Sequence, residues 1–139
     1  MKKFAFSLQK ILGLKEFTEE QAKIALAQAI ANSDRIKAEL KTIAEKRVES
    51  NAQRSFCKNM QDLVIIENYI NRLDVQKENL LEELAEAELV IEEKRKAMYE
   101  AMKERKVLTK LKDKKQSEYR KLVNQEEAAV LDDIANTPQ

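Results

Sequence analysis

The stretch LVIIENYINRLDVQKENLLEEL, residues 63–84, decides the fold. Stepping through it and onward by three and four residues gives Leu63, Ile66, Ile70, Leu73, Lys77, Leu80, Leu84, Ala87, Ile91, Lys94, Met98, Ala101, Arg105, Leu108, Lys112, Lys115, Tyr119, Leu122, Glu126 and Ala129. Fourteen of these twenty positions are apolar, counting Tyr119, and the misses gather in the second half. A repeat averaging about 3.5 residues keeps one stripe toward a partner while two helices supercoil around each other. No proline or glycine interrupts the run. At about 1.5 Å per residue a helix of this length reaches roughly 100 Å, so the repeat predicts a rod.

Upstream, Phe4, Leu8, Ile11, Lys15, Thr18, Ala22, Leu26, Ala29, Ser33, Ile36, Leu40, Ile43, Arg47, Ser50, Arg54 and Cys57 form a second, smaller-featured repeat. Its Ala22, Ala29 and Ser33 are expected opposite larger side chains, which lets two helices approach closely. Between the repeats lies the cap-rich interval from Ser50 to Asn59, where side-chain oxygens can end one helix and start another. The expected architecture is all-α: a long antiparallel two-helix coiled-coil hairpin, second helix longer than the first. The expected boundaries within one domain, residues 1–139, are a helix over about 3–53, a turn over about 54–60 with Asn59 as cap, and a helix over about 60–135. Reversal near 56–58 makes residues whose numbers sum to about 114 face each other, with Phe4 near Lys110. The last twenty or so residues would then have no partner in the chain. Tyr119, Leu122, Val123, Val130, Leu131 and Ile134 would make an uncovered apolar stripe there, as binding surfaces do.

Composition agrees. Charged residues make up 37% and aromatics 5%, with one Gly and one Pro, a balance that suits long helices and excludes a strand-and-turn fold. Gly13 inside the first repeat reads as incidental. One cysteine, Cys57, allows no internal disulfide and fits a reducing compartment. The opening residues contain no apolar run of signal-peptide length, and no segment is apolar enough to span a bilayer.

Catalytic chemistry has no footing in this sequence. There is no histidine, a single cysteine and no glycine-rich loop, so the common zinc sites, Ser-His or Cys-His pairs and phosphate cradles are excluded. No cofactor or metal is expected. Charge comes in blocks: residues 78–93 hold seven acids and no base, and residues 103–121 hold nine bases against three acids. The net charge of +1 makes this a striped chain with no general attraction to nucleic acid, and the basic block lacks interleaved aromatics.

Three motifs carry a family resemblance. Phe4-Ala5-Phe6-Ser7-Leu8-Gln9-Lys10-Ile11-Leu12 resembles the F-x-F-x-L-Q-x-[IVL]-L start of the FliJ family of flagellar export proteins. Lys103-Glu104-Arg105-Lys106-Val107-Leu108-Thr109-Lys110-Leu111-Lys112 followed by Glu118-Tyr119, and Leu131-Asp132-Asp133-Ile134-Ala135, resemble its later motifs in the same order and spacing. The end, Asn136-Thr137-Pro138-Gln139, lacks the basic residue common in the family. The resemblance implies a non-enzymatic central stalk similar to the rotor part of a rotary-ATPase γ subunit. It would bind and stimulate a FliI-like export ATPase hexamer with the end where the termini meet, bind the cytoplasmic domain of an FlhA-like export gate nearer the turn, and escort export chaperones. The implied location is cytoplasmic, peripheral to the inner membrane at the flagellar base through those partners. The residues this assigns to the ATPase are Phe4, Phe6, Leu8, Ile11, Leu108, Leu111, Tyr119, Leu122, Leu131 and Ile134. Those assigned to the gate are Tyr69, Leu73, Gln76 and Leu80, on the aromatic-hydrophobic-x-x-Leu pattern at Tyr69 to Leu73. Two other readings stay open: the stalk of a non-flagellar type III secretion system, and a structural coiled coil that dimerises without an ATPase.

Overall fold

The computed structural model describes residues 2–137. Two helices occupy most of them: α1 (Gln9–Arg54) and the longer α2 (Met60–Asn136). They pack against each other as a hairpin, and no strand is present among the described residues. The reversal needs neither glycine nor a left-handed residue. The α1 end is closed by the Phe56 N–H donating to the Gln53 carbonyl at 3.0 Å and the Ser55 hydroxyl to the Ala52 carbonyl at 2.8 Å. Asn59 then caps α2, its Oδ1 accepting the Asp62 N–H at 2.9 Å, as the sequence predicts. Such a cap contributes about 1 kcal/mol.

By internal contacts the chain forms two compact units, to which both helices contribute. One holds the residues up to Ala22 and from Met98 onward; the other is Lys23–Ala97. In the Lys23–Ala97 unit the buried side chains are Ser33, Ile36, Ile43, Ser50, Ile70, Leu73 and Ala87, all of them on the predicted stripes. Arg47 grips Asp74 (2.8 Å) and Arg54 grips Glu67 (2.6 Å), so partner numbers fall as α1 numbers rise and the helices run antiparallel. In the other unit Leu12, Glu19 and Ala101 are buried, and Lys15 meets Glu104 at 2.9 Å.

Three expectations are corrected. First, α1 begins at Gln9, not near residue 3; Ser7 and Leu8 form a turn, and the residues before them are not helical. Second, the first repeat keeps strict alternation back to Leu12. Leu12 is 2% exposed whereas Ile11 is 45% exposed, and Glu19 takes the seam position expected of Thr18. Stepping through Ile11 and Thr18 puts two successive four-residue steps through Ala22 and turns the stripe off the partner; strict alternation keeps it aligned. Third, facing residues sum to between 118, for Arg35 with Glu83, and 124, for Glu19 with Arg105. Side chains lean toward their own helix N-terminus, which is away from the turn in α1 and toward it in α2, so contacting pairs lie at larger sums than the backbone reversal suggests.

Burying Glu19 is compatible with folding because Arg105 reaches it. Arg105 Nε donates to Glu19 Oε2 at 2.6 Å and Nη2 to Oε1 at 3.2 Å, a two-pronged charged contact between residues 86 apart in sequence. The Arg105 pKa is raised, chiefly by that hydrogen bond, against the lowering effect of desolvation, with the charges of Glu19 and Glu16 adding to the rise.

Gly13 lies in α1 with ordinary φ, and a Cβ built there meets nothing within 4 Å. Gly13→Ala therefore adds a helix-favouring residue without a clash, and chemical denaturation should give a gain of about 1 kcal/mol. A loss of stability would mean that the position is crowded in solution.

Candidate binding surfaces

The N-terminal residues form a strap across α2. The Tyr119 hydroxyl donates to the Lys2 carbonyl, and the Phe4 and Tyr119 rings lie 5.6 Å apart at 49°. Phe4, Phe6 and Leu8 are half-buried and share a groove of about 260 Å³ with Leu111, Lys115, Glu118, Tyr119 and Leu122. A tilted aromatic pair of this kind is worth about 1 kcal/mol beyond its buried area. Phe4 thus faces Tyr119, not Lys110, and Tyr119 is corrected from an uncovered residue to one covered within the chain.

Past Val123 the cover ends. Every described residue from 124 to 137 is exposed, with Leu131 at 66% and Ile134 at 67%. Val123, Val130 and Ile134 continue the stripe that α1 covers earlier, and Val123, Val130 and Leu131 with Glu126 and Glu127 line a shallow groove of about 460 Å³. Pro138 and Gln139, part of the departure from the family's basic end, lie outside the described residues.

The ten residues assigned to the ATPase thus fall into three sets. Phe4, Phe6, Leu8, Leu111 and Tyr119 are together at the strap, with Leu122 exposed on its margin. Leu108 is half-buried on the seam, and Ile11 is exposed. Leu131 and Ile134 stand on the uncovered stretch.

The four gate residues separate as well. Leu73 is 3% exposed and sits on the seam, so it meets a partner only where the seam opens. Tyr69 is half-buried, with the Arg72 guanidinium 5.9 Å from its ring centre. Gln76 and Leu80 line a groove of about 620 Å³ with Arg35, Ala38, Glu39, Thr42, Ile43, Lys46 and Asn79. The α1 half of that groove went unnoticed in the sequence, since its residues become neighbours of Gln76 only once the register is set. The exposed Phe56 and Met60 beside the turn were also missed; a lone phenylalanine in a polar interval was the available signal.

Among the described residues no group of three metal-binding side chains occurs, no buried side-chain polar atom lacks a hydrogen-bond partner, and no helix is long and apolar enough to cross a membrane. The family model described as "Flagellar FliJ protein" matches residues 4–137. No curated protein and no solved structure matches the chain.

Proposed function

The chain belongs to the flagellar FliJ protein family, and on that premise we propose that it is the adaptor that binds and stimulates the export ATPase hexamer. Members of the family are non-catalytic components of the flagellar export apparatus. The ATPase contact uses the uncovered stripe past Val123 together with the strap of Phe4, Phe6 and Leu8. The groove at Gln76 and Leu80, with Tyr69 beside it, meets the export gate, and chaperones ride on the same chain. These partners hold the protein at the cytoplasmic side of the inner membrane at the flagellar base.

The observation that carries this reading is the bare seam. Val123, Val130 and Ile134 keep the pattern of a helix interface although nothing from α1 covers the last two, and apolar area left in water is unfavourable unless another surface takes it up. The test is a chain ending at residue 123 mixed with the export ATPase. Hydrolysis should fall to the level of the ATPase without adaptor, while helical circular dichroism drops only in proportion to the residues removed. Leu131→Asp with Ile134→Asp in the full chain should do the same with helicity unchanged. Undiminished stimulation in either would rule the bare seam out as the contact.

A further inference from the structure

The side of α2 turned away from α1 carries two stripes of opposite charge with identical spacing. Glu78, Glu82, Glu86 and Glu93 form one, and Lys106, Lys110, Lys114 and Lys121 form the other. Each set steps by four, four and seven residues, so each stays within about a quarter turn of one helix face. Each lysine stands 28 residues after its glutamate. All eight side chains are exposed, and none belongs to an ion pair among the described residues. Their neighbours differ: Glu83 meets Arg35, Glu92 meets Arg95, Lys103 meets Glu100 and Lys115 meets Glu118. Like charges four residues apart disfavour the helix that bears them. Both stripes therefore carry an unfavourable repulsion that an opposite stripe would relieve.

We propose that this face is a self-association surface, on which the lysine stripe of one copy receives the glutamate stripe of a second. The two α2 helices lie side by side, parallel, displaced by 28 residues. Glu78 then meets Lys106, Glu82 meets Lys110, Glu86 meets Lys114 and Glu93 meets Lys121. An antiparallel arrangement matches three, Glu78 with Lys114, Glu82 with Lys110 and Glu86 with Lys106, and leaves Glu93 and Lys121 unmatched, so the parallel register is the one that uses every charge of both stripes. Ser117 and Glu118 lie between Lys114 and Lys121, Val107 (66% exposed) borders the set, and no aromatic side chain stands within it to stack on a base. The surfaces used on the two copies are different, so the contact is head-to-tail and leaves one stripe unfilled at each end. Exposed ion pairs are individually weak and screened by salt, which makes the assembly dependent on concentration and ionic strength. It does not depend on the ATPase reading.

Sedimentation equilibrium of the full chain tests this. At about 20 mM salt the mean mass should rise with protein concentration, and at about 300 mM it should return to that of one chain. Glu82→Lys with Glu86→Lys, and separately Lys110→Glu with Lys114→Glu, should each weaken association at least tenfold while far-ultraviolet circular dichroism stays helical. An equimolar mixture of the two variants should associate again, because the intact stripes match and the reversed stripes match each other. A mass independent of concentration at low salt, a helical mixture that fails to associate, or association undiminished in both variants would each overturn the proposal. Pelleting of the unaltered chain with phosphatidylglycerol vesicles, without self-association, would overturn it in favour of a lipid surface.

Discussion

Ile36→Ala lowers the free energy of unfolding by about 3 kcal/mol. Ile36 is 0% exposed and is the largest fully buried side chain among the described residues. Removing three carbons there loses their transfer free energy and leaves a cavity, which together cost about 2–5 kcal/mol in packed cores. The middle of that range applies because a two-helix interface is open at its flanks and can close partly around a void. Domains of this size have stabilities of about 5–15 kcal/mol, so the loss is a large fraction of the total. Urea denaturation followed by circular dichroism measures it. Leu89→Ala, on an exposed position, is the control and should shift stability by no more than about 0.5 kcal/mol. Equal losses at the two positions would mean that the helices do not pack through Ile36.

The second large effect belongs to the ion pair across the other unit. Glu19→Ala should lower Tm by several degrees, because it leaves the Arg105 side chain, 25% exposed, without the carboxylate that grips it at 2.6 Å. Glu19→Leu together with Arg105→Leu should recover the loss or exceed it, since two seam positions then carry ordinary apolar side chains. The pair is thus costly to break and dispensable to stability when removed whole. We expect its use to be alignment: only one register of the helices brings Glu19 to Arg105. The sign of the pH effect follows from the raised Arg105 pKa. A cationic group whose pKa is raised on folding stabilises at every pH below its unfolded value, and this contribution fades only as pH climbs through the strongly alkaline range. A Glu19→Ala melting temperature equal to that of the unaltered chain from neutral pH to mild alkali would show that the contact contributes nothing in solution.

Much of the hairpin was legible because its information is local. The three–four step from Leu63 to Arg105 marks the side chains that α2 turns toward α1, and Ile70, Leu73, Ala87 and Ala101 on that list are buried. Asn59 was legible for the same reason: a side-chain oxygen before a periodic run has one local use. The candidate surfaces were less so. Leu131 and Ile134 stood out as apolar residues beyond any partner, and they are exposed. Tyr119 was misplaced as uncovered, because being on a stripe does not say whether the stripe is covered at that level. The opening strap was read as helix since Phe4 and Leu8 fit a helical step, yet that step does not specify where a helix starts.

Residue order by itself determined two helices, the interval where the chain turns back, and the greater length of the second helix. These follow from period, capping and composition, which act over a few neighbours. The tertiary structure decided the alignment of one helix on the other, and with it the seating of Leu12 over Ile11, the covering of Tyr119 by Phe4, and the position past Val123 where the seam runs bare. The physical reason is that alignment is a sum over pairs distant in sequence. Glu19 looks like a defect in its own repeat until Arg105, carried there by the fold, neutralises it.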